Sequence, residues 1–238
     1  MSPETGPDLT GAEFCRDGRV WLRGFLDADT QEKLRETVAI SAGPGLRLGL
    51  ADISFAADAL REASAVGGAE MHLVRALGFA KTDVGNWGVP WHQDRVISVM
   101  ERRDVPGYGN WSCKRGVWHC EPPVRNLQRM TFLRVFLDEV TPENGGMEYA
   151  VGSHAAGRVA DSEAVQMARK FKVEVEEAGP GDVLVLHMLT LHRSSPSLSH
   201  LPRRVLRVDA AGFDLPVPFA MGRTDTAAYI CANDPLTI

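Results

Sequence analysis

Cysteine is scarce in this 238-residue chain, and its four copies, Cys15, Cys113, Cys120 and Cys231, are scattered. That usage excludes a small fold built on disulfides, so the four are expected to be free thiols. Cys113, His119 and Cys120 cluster, but their spacing is not that of a zinc knuckle and no fourth ligand stands nearby. No 18 apolar residues run together, so no membrane-spanning helix is expected. Lys and Arg form no stripe and the formal net charge is −5, which removes the electrostatic case for a nucleic-acid partner. The opening MSPETGPDLT lacks the basic and apolar regions of a secretory signal. A cytoplasmic protein is the resulting expectation.

What the chain does have is a 44% hydrophobic fraction over a length that suits one domain, residues 1–238, with a sizeable core. Residues 1–70 read as a strand and helices that pack on a sheet. Val20–Leu26 is a short strand entering a helix; Asp29 is its expected cap, Glu32 completes a capping box, and Leu34 and Val38 recur at helical spacing. That helix is expected to stop in the Gly/Pro cluster at 41–45. A second spans Phe55–Val66, with Ser54 as its cap and Gly67-Gly68 after it.

Strands dominate from Met71 onward: His72–Lys81, Arg95–Met100, Met130–Asp138, Met147–Val151, Phe171–Val175, Val183–Leu186 and Arg203–Ala210. In Met130–Asp138, Leu133, Val135 and Leu137 share a face suited to packing between sheets. Phe132, Arg134 and Phe136 share the other, which places Arg134 in solvent or in a cavity holding an anion. Residues 101–123 read as an irregular insertion, with Trp111, Trp118 and His119 as candidate substrate contacts. It is either a lid or a loop whose aromatic residues merely pack it down.

Chemistry concentrates around Trp87–Val96. On a strand, His92 and Asp94 project to one face while Gln93 turns to the other. A neutral imidazole beside a carboxylate offers two of the three ligands of a facial iron(II) site; the plain alternative is a buried histidine bonded to its neighbour. Two further histidines, His187 and His192, lie five apart. His192 is followed at the second residue by Ser194 and at the eleventh by Arg203, whose strand is expected to pair back on that of His192. An imidazole, a hydroxyl and a guanidinium would then share one inner surface. His154, in a Gly/Ser turn, reads as a surface residue.

PWHQD (Pro90–Asp94), ENGGMEYAVGSH (Glu143–His154) and GDVLVLHMLTLHRSSPSLSHLPRR (Gly181–Arg204) together resemble the phytanoyl-CoA dioxygenase family of Fe(II)/2-oxoglutarate oxygenases. The resemblance runs from the Val20–Leu26 strand to about Asp209. It implies a mainly β double-stranded β-helix (jelly roll) with flanking helices, and Fe(II), 2-oxoglutarate and dioxygen as the reaction's cofactors. It implies His92, Asp94 and His192 as catalytic iron ligands, and Arg203 with Ser194 as the grip on the distal carboxylate of 2-oxoglutarate. Arg134, Lys81 and Gln128 are further candidates for contacting the cosubstrate. His187 has Leu198, not Arg, at its own eleventh position, which favours His192 as the ligand.

A facial triad leaves three positions open, two for the 2-oxo acid and one for dioxygen. An Arg fork is suited to a second carboxylate withdrawn from water. Halogenating members of the family replace the aspartate with a small residue, so Asp94 implies hydroxylation of a small or medium organic substrate. One departure is the SSPSLS loop after Arg193, where the family often has an Asn. Two rivals remain. A cupin-like metal-binding or sensing module would have no use for Arg203 and Ser194; an oxygenase acting on a protein side chain would show an open charged groove near 101–123. The segment Phe213–Ile238 receives no role.

Overall fold

The computed structural model describes residues 11–39, 45–82, 85–114 and 116–214. The first ten residues, most of the expected helix stop at 41–45, and all of the C-terminal segment after Asp214 lie outside them.

Helix α1 (Gly11–Asp17) leads into strand β1 (Arg19–Leu22), and helix α2 (Ala28–Thr37) follows. Strand β2 (Leu46–Leu48), a 3-10 turn over Ala51–Ala56 and helix α3 (Ala57–Ser64) complete the N-terminal part. Next come β3 (His72–Lys81), β4 (Val89–His92), β5 (Ile97–Val99), β6 (Gly109–Lys114) and β7 (Val117–Glu121). A turn of helix, α4 (Val124–Leu127), precedes β8 (Met130–Phe136) and β9 (Met147–Ala150). Helix α5 (Ala164–Ala168) is followed by β10 (Val173–Val175), β11 (Val183–His187), β12 (His192–Ser194) and β13 (Arg203–Ala211).

A six-stranded sheet of order β1-β11-β8-β13-β3-β2 faces a four-stranded sheet of order β10-β9-β12-β4, and β5-β7-β6 form a small third sheet. All named pairs are antiparallel. This is the double-stranded β-helix, with helices over the outer face of the large sheet. Among the described residues, no helix is long and apolar enough to cross a membrane.

The period of two along β8 sorts its side chains between two cores. Leu133 and Val135, with Leu137 just beyond the strand, join Val183, Val185, Leu206 and Val208 beneath Leu34, Val38, Leu60 and Ala63 of the helical layer. Phe132 and Phe136 point inward and meet Leu184, Leu186 and Val205 across from Met147 and Tyr149 of β9. The expectation that the Leu133 face lies between sheets is therefore corrected: on β8 the two Phe rings face the space between sheets, and the aliphatic chains seat the helices. Leu133 is fully buried, so Leu133→Ala is expected to lower unfolding free energy by about 2–5 kcal/mol. Chemical denaturation checks this; an unmoved midpoint would contradict the packing described.

Several local expectations also change. The cap of α2 is Asp27, whose carboxylate accepts from Thr30 N at 2.8 Å, while Asp29 pairs with Lys33 and Glu32 with Arg35. Helix α3 starts at Ala57 with no side-chain cap, and Ser54 sits in the preceding 3-10 turn. Residues 101–108 are irregular as expected, but the rest of the 101–123 insertion is mostly strand, because β6 and β7 form a hairpin on β5. The chain leaves strand geometry after His92, so Arg95–Met100 does not continue β4; only Ile97–Val99 is strand, in the third sheet. Strand β13 lies in the large sheet between β8 and β3, not as a hairpin partner of β12. Cys15 and Cys120 are free, whereas Cys113 is disulfide-bonded.

Candidate metal centre

His92 closes β4 and His192 opens β12, and the two are direct partners across the ladder. Their rings lie 4.3 Å apart, centroid to centroid. Asp94 reaches them because the backbone turns immediately after His92. Gln93 holds that turn: it is buried, donates to Gly157 O and Leu189 O at 2.7 Å each, and accepts from Val159 N at 2.8 Å. The residue expected to turn away does so, but as a buried clamp.

Each histidine is oriented by the carbonyl two residues before it. His92 Nδ1 lies 2.8 Å from Pro90 O, and His192 Nδ1 lies 2.9 Å from Thr190 O. With Nδ1–H donated there, each Nε2 presents a lone pair, the arrangement usual for metal-ligating imidazoles. Ligand atoms of His92, Asp94 and His192 all lie within 4.8 Å of one another. His192 Nε2 and Asp94 Oδ2 are 3.1 Å apart. With its lone pair on Nε2, His192 at that separation from Asp94 suits two neighbouring ligands of one ion, so the donor set fits a divalent metal and, by ligand type, iron(II). Burial, then His192, lowers the pKa of His92 and favours the neutral ligand form. Burial alone would raise Asp94, but Arg207 and the two imidazoles outweigh it and hold Asp94 well below the usual carboxylate range.

The triad lines a cavity of about 280 Å³ that also takes in Ser194, Lys81, Arg134 and Arg203. Arg203 is 4% exposed, and its Nε and Nη1 have no hydrogen-bond partner among the described residues. Burial, then Arg134, brings its pKa down to about 10, so it stays cationic at neutral pH. A buried guanidinium with two unmet donors is costly unless an anion meets it.

Lys81 donates to Ser195 O and, at 3.5 Å, to Gly145 O. Burial first, then Arg203 and Arg134, lowers its pKa to about 7. Arg134 faces the cavity but is engaged by Glu176 through two bonds of 2.8 and 2.9 Å. Its anion belongs to the protein.

Other candidates lie elsewhere. Gln128 is exposed and lines a separate cavity with His154 and His187, so its expected contact with the cosubstrate is corrected. His187 accepts from Leu189 N and packs 4.8 Å from the half-buried ring of His154. Trp111 and Trp118 pack edge to face, and His119 is buried; none of the three lines the triad cavity.

The residue that sequence reasoning missed is Arg207. It pairs with Asp94, donates to Asp209 Oδ1 at 2.7 Å and lies 4.3 Å over the Phe132 ring. Asp209 accepts in turn from Arg75 Nε at 2.7 Å. Arg203, Arg207 and Asp209 stand at even spacing on one strand, so the inward face assigned to Arg203 was itself the available signal.

The profile of the phytanoyl-CoA dioxygenase family matches residues 49–205. No protein of curated function matches the sequence significantly. EctD from S. alaskensis, solved with bound Fe, superposes with a TM-score of 0.63 at 18% identity, covering 89% of this chain and 80% of EctD. SnoK, a non-heme alpha-ketoglutarate-dependent carbocyclase from nogalamycin biosynthesis, gives 0.64 at 16%, covering 90% and 88%. EvdO2 from Micromonospora carbonacea var. aurantiaca, solved with 2-oxoglutarate, gives 0.59 at 16%, covering 92% and 94%.

Proposed function

The chain belongs to the phytanoyl-CoA dioxygenase family, and on that premise we propose that it is an Fe(II)- and 2-oxoglutarate-dependent hydroxylase of a small or medium organic substrate. The observation that carries this reading is Arg203, buried with unmet donors in the cavity that holds the triad. A metal-sensing module has no use for such an anchor.

His92, Asp94 and His192 would hold the iron, and Arg203 with Ser194 would hold the distal carboxylate of 2-oxoglutarate. Bound there, the metal supplies dioxygen activation, coupling oxidative decarboxylation of the cosubstrate to attack on a substrate C–H bond. Arg207 keeps Asp94 ionised and aimed. Phe132, packed 5.2 Å from His192, excludes water from one side of the centre. The test is succinate release from 2-oxoglutarate across a panel of organic compounds. Iron- and oxygen-dependent release stimulated by some of them is expected; a protein that takes up iron yet has no affinity for 2-oxoglutarate is the sensing module instead.

Lys81 adds a pH dependence. Its ammonium, with a pKa of about 7 in the anion-free site, is favoured once a dicarboxylate lies nearby. Above pH 7 binding must therefore take up a proton. Affinity for 2-oxoglutarate is expected to fall as pH rises from 7 to 9, by at most about tenfold per unit. Dissociation constants measured across that range check this, and Lys81→Met should flatten the slope; equal slopes in both proteins would contradict it.

A further inference from the structure

Strand register divides the triad cavity into two ends. Arg203 pairs with Lys81, and Ser194 with Val89, on one side of the His92–His192 pair. Moving along β13 past Val205, the inward positions become Arg207 and Asp209, opposite Leu77 and Arg75 of β3. Register sets Arg75, Leu77, Phe132 and Arg207 at this second end, Lys114 joins Arg75 in acting on His119, and Val96 also lines the cavity. Arg203 and Asp209 are six residues apart on one strand, roughly 20 Å at about 3.4 Å per residue. A five-carbon dicarboxylate anchored on Arg203 and chelated at the triad is consumed before it reaches Arg75.

The second end is short of negative charge. Two guanidiniums, Arg75 and Arg207, share the single carboxylate of Asp209, at 2.7 Å each. Arg207 also leans on Asp94, whose charge a bound metal would claim. Lys114, exposed at the end of β6, adds a third cation to the cavity lining. Behind them His119 is fully buried with Nε2 unpartnered among the described residues. Its pKa is lowered to about 4 by burial, then Arg47, Arg75 and Lys114, so it stays neutral and adds no counter-charge. The Arg75 side chain is 13% exposed and faces the cavity, where a ligand can reach it.

On the reading of this centre as a 2-oxoglutarate oxygenase, we propose that the substrate is a small organic acid. Its anionic group, a carboxylate, phosphate or sulfate, docks on Arg75 and Lys114, and its carbon skeleton lies along Leu77, Val96 and Phe132 toward the triad. A planar guanidinium suits bidentate capture of such a group. Lys114 at the exposed margin steers it in. The apolar walls between that anchor and the metal select the carbon presented for attack.

The test holds the Fe(II)·2-oxoglutarate complex without oxygen, so that no turnover occurs, and adds benzoate, its uncharged partner benzamide, or inorganic sulfate. The visible band of the bound 2-oxo acid and tryptophan fluorescence are followed. Benzoate and sulfate are expected to bind saturably and to shift the spectrum without displacing 2-oxoglutarate, with benzamide at least tenfold weaker. Arg75→Gln should weaken benzoate at least tenfold. Lys114→Gln, at an exposed position that leaves the fold undisturbed, should weaken it at least threefold with the 2-oxoglutarate titration unchanged. Equal binding of benzamide, no saturable response to either anion, displacement of 2-oxoglutarate by sulfate, or unaltered benzoate affinity in Lys114→Gln would each overturn the proposal. Failure of the wild type to develop the band with iron and 2-oxoglutarate alone is a separate result. That outcome rejects the oxygenase reading and is seen before any probe is added.

Discussion

Arg203→Ala is expected to weaken 2-oxoglutarate binding to the iron-loaded protein by roughly 30-fold to several-thousand-fold. That range is the effect of removing one partner of a buried, hydrogen-bonded charge pair, about 2–5 kcal/mol. Iron affinity should stay within about twofold, because Arg203 belongs to the end of the cavity that holds Lys81 and Ser194 and offers no ligand atom to the triad. Arg203→Lys should recover part of the loss, since an ammonium keeps the charge but not the two-pronged geometry. Parallel titrations of metal and of 2-oxoglutarate separate the effects. An unchanged 2-oxoglutarate affinity in Arg203→Ala would show that the anchor lies elsewhere.

The second large effect concerns the two histidines that compete in the sequence. His192→Ala should remove the iron site, with a loss beyond the roughly 10–100-fold typical of a partner that only orients a ligand. His187→Ala should leave metal binding intact, because His187 lines a different cavity with His154, Phe14 and Gln128. Metal content after equilibrium dialysis measures both. Loss of iron in His187→Ala with retention in His192→Ala would exchange the two assignments.

Features set by local periodicity were legible in the sequence. The His72–Lys81 strand is found with those bounds, and Met130–Asp138 and Arg203–Ala210 with shifts of one or two residues. Met130–Asp138 carries a clear period of two, and all three runs are rich in β-capable residues. The grouping of His92, Asp94 and His192 was legible for another reason: a facial site needs specific residue types, and the structure brings these three side chains together. What did not show is where alternation breaks. A bulge between Gly109 and Ser112, with Asn110 at φ 51°, disguised β6 as loop. The turn after His92 is held by Gln93 bonding to Gly157, Val159 and Leu189, partners 64 or more residues away that no local pattern encodes. The shift of the α2 cap from Asp29 to Asp27 is of the opposite kind, two equivalent acids within one turn. Arg207 was overlooked although it shares the inward face of Arg203 at even spacing; the register of β13 against β8 and β3 sets it in the cavity beside Asp94.

The most direct measurement of the central claim is an anaerobic titration of 2-oxoglutarate into the Fe(II)-loaded protein, followed by the visible charge-transfer absorption of a chelated 2-oxo acid. A saturable band at one iron and one 2-oxoglutarate per chain, absent in His192→Ala, is the predicted result. Tight iron binding with no band, or a band that survives loss of His192, would contradict it.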